Sequence, residues 1–349
     1  MKKRMRIMIT MMLSVFLAAG CAKEGAGAAA EQPAAEQAAA EQLAAEQAAA
    51  EQPADEHPVA EQVTYSYSEY SLDRSGIPLH LDCMKVANAE PEDNILLMHG
   101  STYSSHEFDI NYEDYSLVRR LAREGYAVWR LDIAGYGQSG EIVDGLTPDT
   151  AYAAEDIRAA MEWISSETGQ DKIDLLGWSW GTMTTGLYAA EYPEHLDKLV
   201  LYAPILAGIG EMEITEPFNH NDWAGAAEDF QTKEDGSFDL EVTDPVFIEM
   251  WCSSCWHYDG DSSPNAWRKD ALVSEDSVLI DLAKITAPTL VICGDKDPYL
   301  NMELVKTSTE LLPEGSELKV IPGGSHIVMY EKNCYREFQD SVAAFLTEK

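Results

Sequence analysis

Gly177-Trp178-Ser179-Trp180-Gly181 is the stretch whose residue types and spacing point most directly to chemistry. An apolar run from Ile173 to Leu176 leads into it, and small residues carry on from it to Pro193. G-x-S-x-G between a strand and a helix forces a turn so sharp that only glycine fits on either side of the serine. Such a turn strains the serine and pushes its hydroxyl beyond the sheet edge. It also puts the N–H of Trp180 at a helix start, where developing negative charge is stabilised. Ser179 is therefore the candidate nucleophile.

A serine hydroxyl attacks poorly at neutral pH. It needs a base, and the base needs an orienting acid. In parallel sheets, functional side chains sit on loops just past strand C-termini. Thr289 to Cys293 is an apolar run followed by Gly294-Asp295-Lys296-Asp297-Pro298. Leu318 to Ile321 is followed by Pro322-Gly-Gly-Ser-His326. The order Ser179, Asp297, His326 then places each residue just beyond a strand. Asp295 is the competing acid. No carboxylate follows the earlier strand, which ends at Ala203-Pro204-Ile205.

The elements that must position these residues alternate. Thr64 to Leu72 and Ile77 to Val86 flank Ser75-Gly76 and read as a hairpin. Strands follow at 94–98, 127–131, 173–176, 198–202, 289–293 and 318–321. Helices are expected at 115–124, 150–168, after Ser179, at 302–312 and at 331–347. Strands alternating with helices argue an α/β fold with a mainly parallel sheet covered on both faces. The rhythm breaks from Ile205 to about Ile280, a stretch with Trp223, Trp251, Trp256 and Trp267. It reads as a lid inserted over the carboxyl end of the sheet.

These features together resemble the α/β-hydrolase superfamily over about Val63 to Lys349. The resemblance implies an oxyanion hole at His99-Gly100, with the N–H groups of Ser101 and Trp180 as donors. It also matches Asp132 to Ser139 to the family's D-x-R-G-x-G-x-S turn, with Ala134 where arginine is usual. It favours Asp297 over Asp295. The implied chemistry is acyl transfer through Ser179, without a cofactor.

The 349 residues include 46% apolar types, enough for a full core. The net charge of −37 disfavours nucleic acid and anionic membranes as partners. Yet Lys2, Lys3, Arg4 and Arg6 precede an apolar run that ends in Leu17-Ala-Ala-Gly-Cys21. This resembles a bacterial lipoprotein signal, which implies removal of residues 1–20, lipid on Cys21, and outward-facing attachment to the cell membrane. An ordinary secretory signal is the competing reading. From Ala29 to Gln62 the chain repeats an Ala/Glu/Gln pattern every five residues, which fits no helical face. With prolines at 33, 53 and 58, residues 21–62 read as an acidic tether. Residues 63–349 form the catalytic domain, with the lid at about 205–280.

Cys252 and Cys255 leave a local disulfide open, and with His257 they fall short of a metal-ligand set. Three functions compete. The lead is hydrolysis of a carboxylic ester with an apolar or aromatic portion. The second is an aminopeptidase acting on short peptides. It rests on a G-x-S-W-G shared with proline iminopeptidases, with lid acids such as Glu211, Glu213 or Glu216 holding the substrate amine. The third is a surface binding protein without turnover. Oligomeric state and physiological substrate stay open.

Overall fold

The computed structural model describes residues 63–348. The expected signal segment, Cys21 and the five-residue repeats lie outside the described residues. Eight strands form the main sheet: β1 (Tyr65–Arg74), β2 (Ile77–Val86), β3 (Asp93–Met98), β4 (Tyr126–Leu131), β5 (Ile173–Trp178), β6 (Leu196–Tyr202), β9 (Thr289–Gly294) and β10 (Glu317–Ile321). Their order across the sheet is β1-β2-β4-β3-β5-β6-β9-β10. The β1–β2 hairpin and the β2–β4 pair are antiparallel; every other pair is parallel.

Both sheet faces are packed, as continuous apolar strands require. Along β3, Ile95 and Leu97 join one buried cluster, while Leu96 and Met98 join another. The first cluster takes in Leu117, Val118 and Leu121 of α1 (Leu117–Arg123) and Phe338, Val342 and Phe345 of α8 (Tyr335–Thr347). The second takes in Ile157 and Met161 of α2 (Thr150–Thr168) and Met183 and Tyr188 of α3 (Trp180–Glu191). The sheet therefore divides two cores between its faces.

Local signals set the helix ends. The Asp149 side chain accepts from Tyr152 N–H at 2.9 Å to start α2, and Gly169 ends it at φ +72°. Ser116 caps α1, accepting from Arg119 N–H at 3.1 Å, so that helix begins two residues after its expected start. The last helix starts at Tyr335 rather than Glu331, because Val328–Tyr330 forms a separate 3-10 turn.

Between β6 and β9 the chain leaves the sheet. It forms a two-stranded ribbon, β7 (Phe218–His220) with β8 (Ser262–Pro264), and three helices: α4 (Trp223–Ala226), α5 (Pro245–Asp259) and α6 (Ala266–Ala271). This stretch is less irregular than its sequence suggests, because α5 is a 15-residue helix. Its signals were local: Asp244 caps the end, Pro245 takes the first position, and Gly260 closes the helix. Helix α7 (Met302–Thr309) follows β9. Cys252 and Cys255 both carry free, buried thiols on α5.

Candidate active site

Ser179 ends the β5-to-α3 turn with φ +55° and ψ −120°, a strained conformation for a residue with a side chain. The turn has no room to relax. A Cβ on Gly177 would stand 2.2 Å from Gly181 O, and one on Gly181 would stand 2.5 Å from Met98 O. The glycines thus let α3 start directly against the end of β3. Trp180 is the first residue of α3, and amides in a first turn have no acceptor within the helix.

His326 and Asp297 come from the loops after β10 and β9. His326 Nδ1 lies 2.7 Å from Asp297 Oδ2, and both side chains are buried. Tyr299 N–H donates to the other oxygen, Oδ1, at 3.0 Å. Burial opposes charge on His326, but the Asp297 charge and hydrogen bond outweigh it and raise its pKa above the usual 6.5. Asp295 does not reach the histidine; its Oδ1 accepts from Gly323 N–H at 2.7 Å and braces the β10 loop.

Two aromatic residues whose role the sequence did not suggest fix the histidine backbone. Trp178 Nε1–H and Tyr202 O–H both donate to His326 O, at 3.1 and 3.0 Å. Each comes from the last position of a central strand, β5 or β6. The Tyr299 ring meets the imidazole edge-on at 4.7 Å.

Ser179, His326, Ser101 and Thr102 border one cavity of about 400 Å³. No hydrogen bond joins Ser179 Oγ to His326 across it; the bond His326 makes through its ring is the one to Asp297. His99 and Glu107 hold the Gly100–Thr102 loop. His99 Nδ1–H donates to Gly100 O at 2.8 Å, and His99 Nε2 accepts from Ile133 N–H at 3.1 Å. Those two partners fix one neutral tautomer, and burial lowers the His99 pKa. Glu107 Oε1 accepts from Gly100 N–H at 2.6 Å. Burial pushes its carboxyl well above the ordinary range, although the Gly100 N–H opposes this. Beside Ala134, Arg74 of β1 pairs with Asp156, which also accepts from Ala134 N–H at 3.1 Å.

The inserted segment supplies the rest of the wall. Trp251 and Trp267 border the cavity, whereas Trp223 and Trp256 are 44% and 55% exposed and do not. Glu211, Glu213 and Glu216 are exposed and away from the cavity; Asp222, Glu228 and Asp229 border it instead. Tyr299 O–H donates to Asp229 Oδ1 at 3.2 Å, which sets that carboxylate on the His326 side. His220 borders the cavity, and His257 does not. A larger cavity of about 480 Å³ opens beside His80, His106 and Asp132, but none of Ser179, Asp297 and His326 borders it. Among the described residues, no group of three or more His, Cys, Asp or Glu side chains is arranged to hold a metal ion.

Residues 89–333 match the profile of the family described as Serine aminopeptidase, S33. A proline iminopeptidase of Lactobacillus helveticus is 25% identical over 268 residues, covering 68% of this chain and 85% of that protein. A putative non-heme chloroperoxidase of Synechocystis is 26% identical over 258 residues, covering 67% and 84%. Among solved structures, a bromoperoxidase from Bacillus anthracis superposes with a TM-score of 0.59 at 20% identity, covering 81% of this chain and 100% of that one. The chain belongs to the serine aminopeptidase S33 family and has the α/β-hydrolase fold.

Proposed function

We propose that this hydrolase cleaves a carboxylic ester through an acyl-enzyme on Ser179. The observation that carries this reading is a strained Ser179 on the same cavity wall as a buried His326 held by Asp297. In this scheme Ser179 Oγ attacks the carbonyl carbon while His326 takes its proton. Asp297 holds the imidazole tautomer and stabilises its cation. The N–H groups of Ser101 and Trp180 receive the oxyanion. His326 then protonates the leaving alkoxide, and water, deprotonated by the same imidazole, releases the acid. The aromatic wall of Trp178, Trp251 and Trp267 suits an ester with an apolar portion.

Asp222, Glu228 and Asp229 favour a second reading, aminopeptidase activity, because three acids of the inserted segment border the cavity and suit a substrate ammonium group. A panel of 4-nitrophenyl esters and aminoacyl 4-nitroanilides separates the two, with Ser179→Ala as control. Ester turnover that vanishes in the control supports the lead. Faster anilide turnover replaces it with the second reading. Failure of a fluorophosphonate probe to label Ser179 would leave only a binding role.

We also propose that the protein is exported and anchored by lipid on Cys21. The support is the basic, apolar, Leu-Ala-Ala-Gly-Cys21 order. Stable anchoring needs two acyl chains, since one binds a bilayer only marginally. An intact mass showing the mature chain starting at an unmodified Cys21 would end this proposal.

A further inference from the structure

Arg268 stands out by what it lacks. In a chain where acids outnumber bases 61 to 24, a guanidinium should find a carboxylate easily. Among the described residues, Arg74, Arg119, Arg120, Arg130, Arg158 and Arg336 all do, and Arg123, which does not, is exposed on α1. Arg268, half-buried on α6, has no acid within 4.0 Å and borders the catalytic cavity. Its Nη1 donates to the neutral Asn265 Oδ1 at 2.8 Å, and its Nη2 reaches Thr102 Oγ1 only at 3.4 Å. A guanidinium offers five donors in a planar fork, so most of its capacity is unspent. Burial lowers its pKa, and the Glu228 charge, acting from beyond contact distance, opposes this.

The complement of an unspent guanidinium at a cavity wall is an anionic oxygen acceptor. Asp229 lies on the His326 side through Tyr299, whereas Arg268 lies against Thr102, beside Ser101, with Glu228 near enough to feel its charge but not to pair with it.

We propose that Arg268 anchors a carboxylate carried by the substrate, so that the enzyme takes half-esters of dicarboxylic acids or esters of like charge. This rests on the reading of the cavity as the site of a Ser179 hydrolase and narrows its substrate. Arg268 is a specificity determinant and takes no part in bond making. The competing role is structural, with Arg268 only pinning Asn265 and the Thr102 loop.

The test measures binding, so it does not depend on turnover. In full-length Ser179→Ala protein, monomethyl adipate and dimethyl adipate are titrated against tryptophan fluorescence and by calorimetry. The two probes differ only in one carboxylate. The half-ester should bind about tenfold tighter or better. Adding Arg268→Gln should erase that difference, and Arg268→Lys, which keeps the charge and loses the fork, should restore part of it. Melting temperature is followed in each variant. If Arg268→Gln does not fold, the lysine variant and the comparison of the two probes still decide. Equal affinity for the two probes with Arg268 present overturns the proposal, as does equal weakening of both by Arg268→Gln. Failure of the Ser179 reading shows separately, as esterase activity that survives Ser179→Ala.

Discussion

Asp297 Oδ2 sits 2.7 Å from His326 Nδ1 in a pair that water barely reaches. That contact keeps His326 protonated to a higher pH than an ordinary histidine. Only the neutral imidazole can accept the Ser179 proton, so kcat/KM should fall toward acid with a midpoint above pH 6.5. Asp297→Asn removes the charge that raises the pKa. Its midpoint should drop, and its rate should fall by about 10³–10⁴-fold. A pH–rate profile of both proteins checks this. An unmoved midpoint in the variant would show that another group sets the acid limb.

Glu107 is a positioning residue. Its one recorded bond, to Gly100 N–H, holds the backbone that precedes Ser101. Glu107→Gln keeps a neutral oxygen acceptor and should keep most of the activity. Glu107→Leu strands a buried N–H, a penalty of about 1–3 kcal/mol, and frees the loop. On the proposed scheme, in which Ser101 N–H receives the oxyanion, kcat should fall about ten- to a hundredfold with KM little changed. A KM-only effect would place Glu107 in substrate binding.

The residues that a strand end presents were legible in the sequence, because strand, turn and small-residue helix each leave a local pattern. Ser179, Asp297 and His326 all lie in such turns, and the hairpin from Tyr65 to Val86 lies where Ser75-Gly76 put it. What the sequence hid is what distance in the chain hides. Trp178 and Tyr202 clamp His326 O from across 148 and 124 residues, and nothing local marks an indole or phenol for that task. The acids at the cavity were misread for the same reason. Glu211 to Glu216 lie nearest β6 in sequence, but the chain returns to the cavity only from Asn219 onward, and the acids it brings there are Asp222, Glu228 and Asp229. Helix α5 was missed although its Asp244-Pro245 start and Gly260 stop are local signals; apolar and polar residues are mixed around it without a clear face.

Asp174 makes stability depend on pH. Burial pushes its carboxyl up to about 7, although Tyr126 O–H at 2.9 Å and Lys198 N–H at 3.0 Å both donate to it. In the unfolded chain it titrates at about 3.9. Between those values the folded protein binds more protons than the unfolded chain, so this residue's contribution falls as pH rises. The loss from about pH 4 to pH 8 should be on the order of a few kcal/mol. Urea denaturation at pH 5 and pH 8 should show it in the wild type, and Asp174→Asn should flatten it. Identical pH dependence in both proteins would refute the assignment.

The four tryptophans of the inserted segment should fall into three classes. Trp223 and Trp256 are exposed and away from the cavity. Their alanine variants should change stability by no more than about 0.5 kcal/mol and leave the ranking of substrates alone. Trp251 is 3% exposed, donates from Nε1 to Ala226 O at 2.7 Å, and packs edge-on against Trp178 and Phe230. It is core as much as wall, so Trp251→Ala should cost about 3–5 kcal/mol of stability and slow every substrate together. Trp267 is the informative one. It borders the cavity, is only half-buried, and its ring lies 4.6 Å from the Arg268 guanidinium carbon. Trp267→Ala should therefore keep the fold while changing kcat/KM unequally across short, long and aromatic esters, by roughly 1–3 kcal/mol in transition-state binding. Steady-state kinetics on that ester series, beside melting temperatures, reads both effects. Proportional loss on every ester would assign Trp267 to packing, and substrate choice would then fall to Ser101, Thr102 and Tyr103, which border the same cavity.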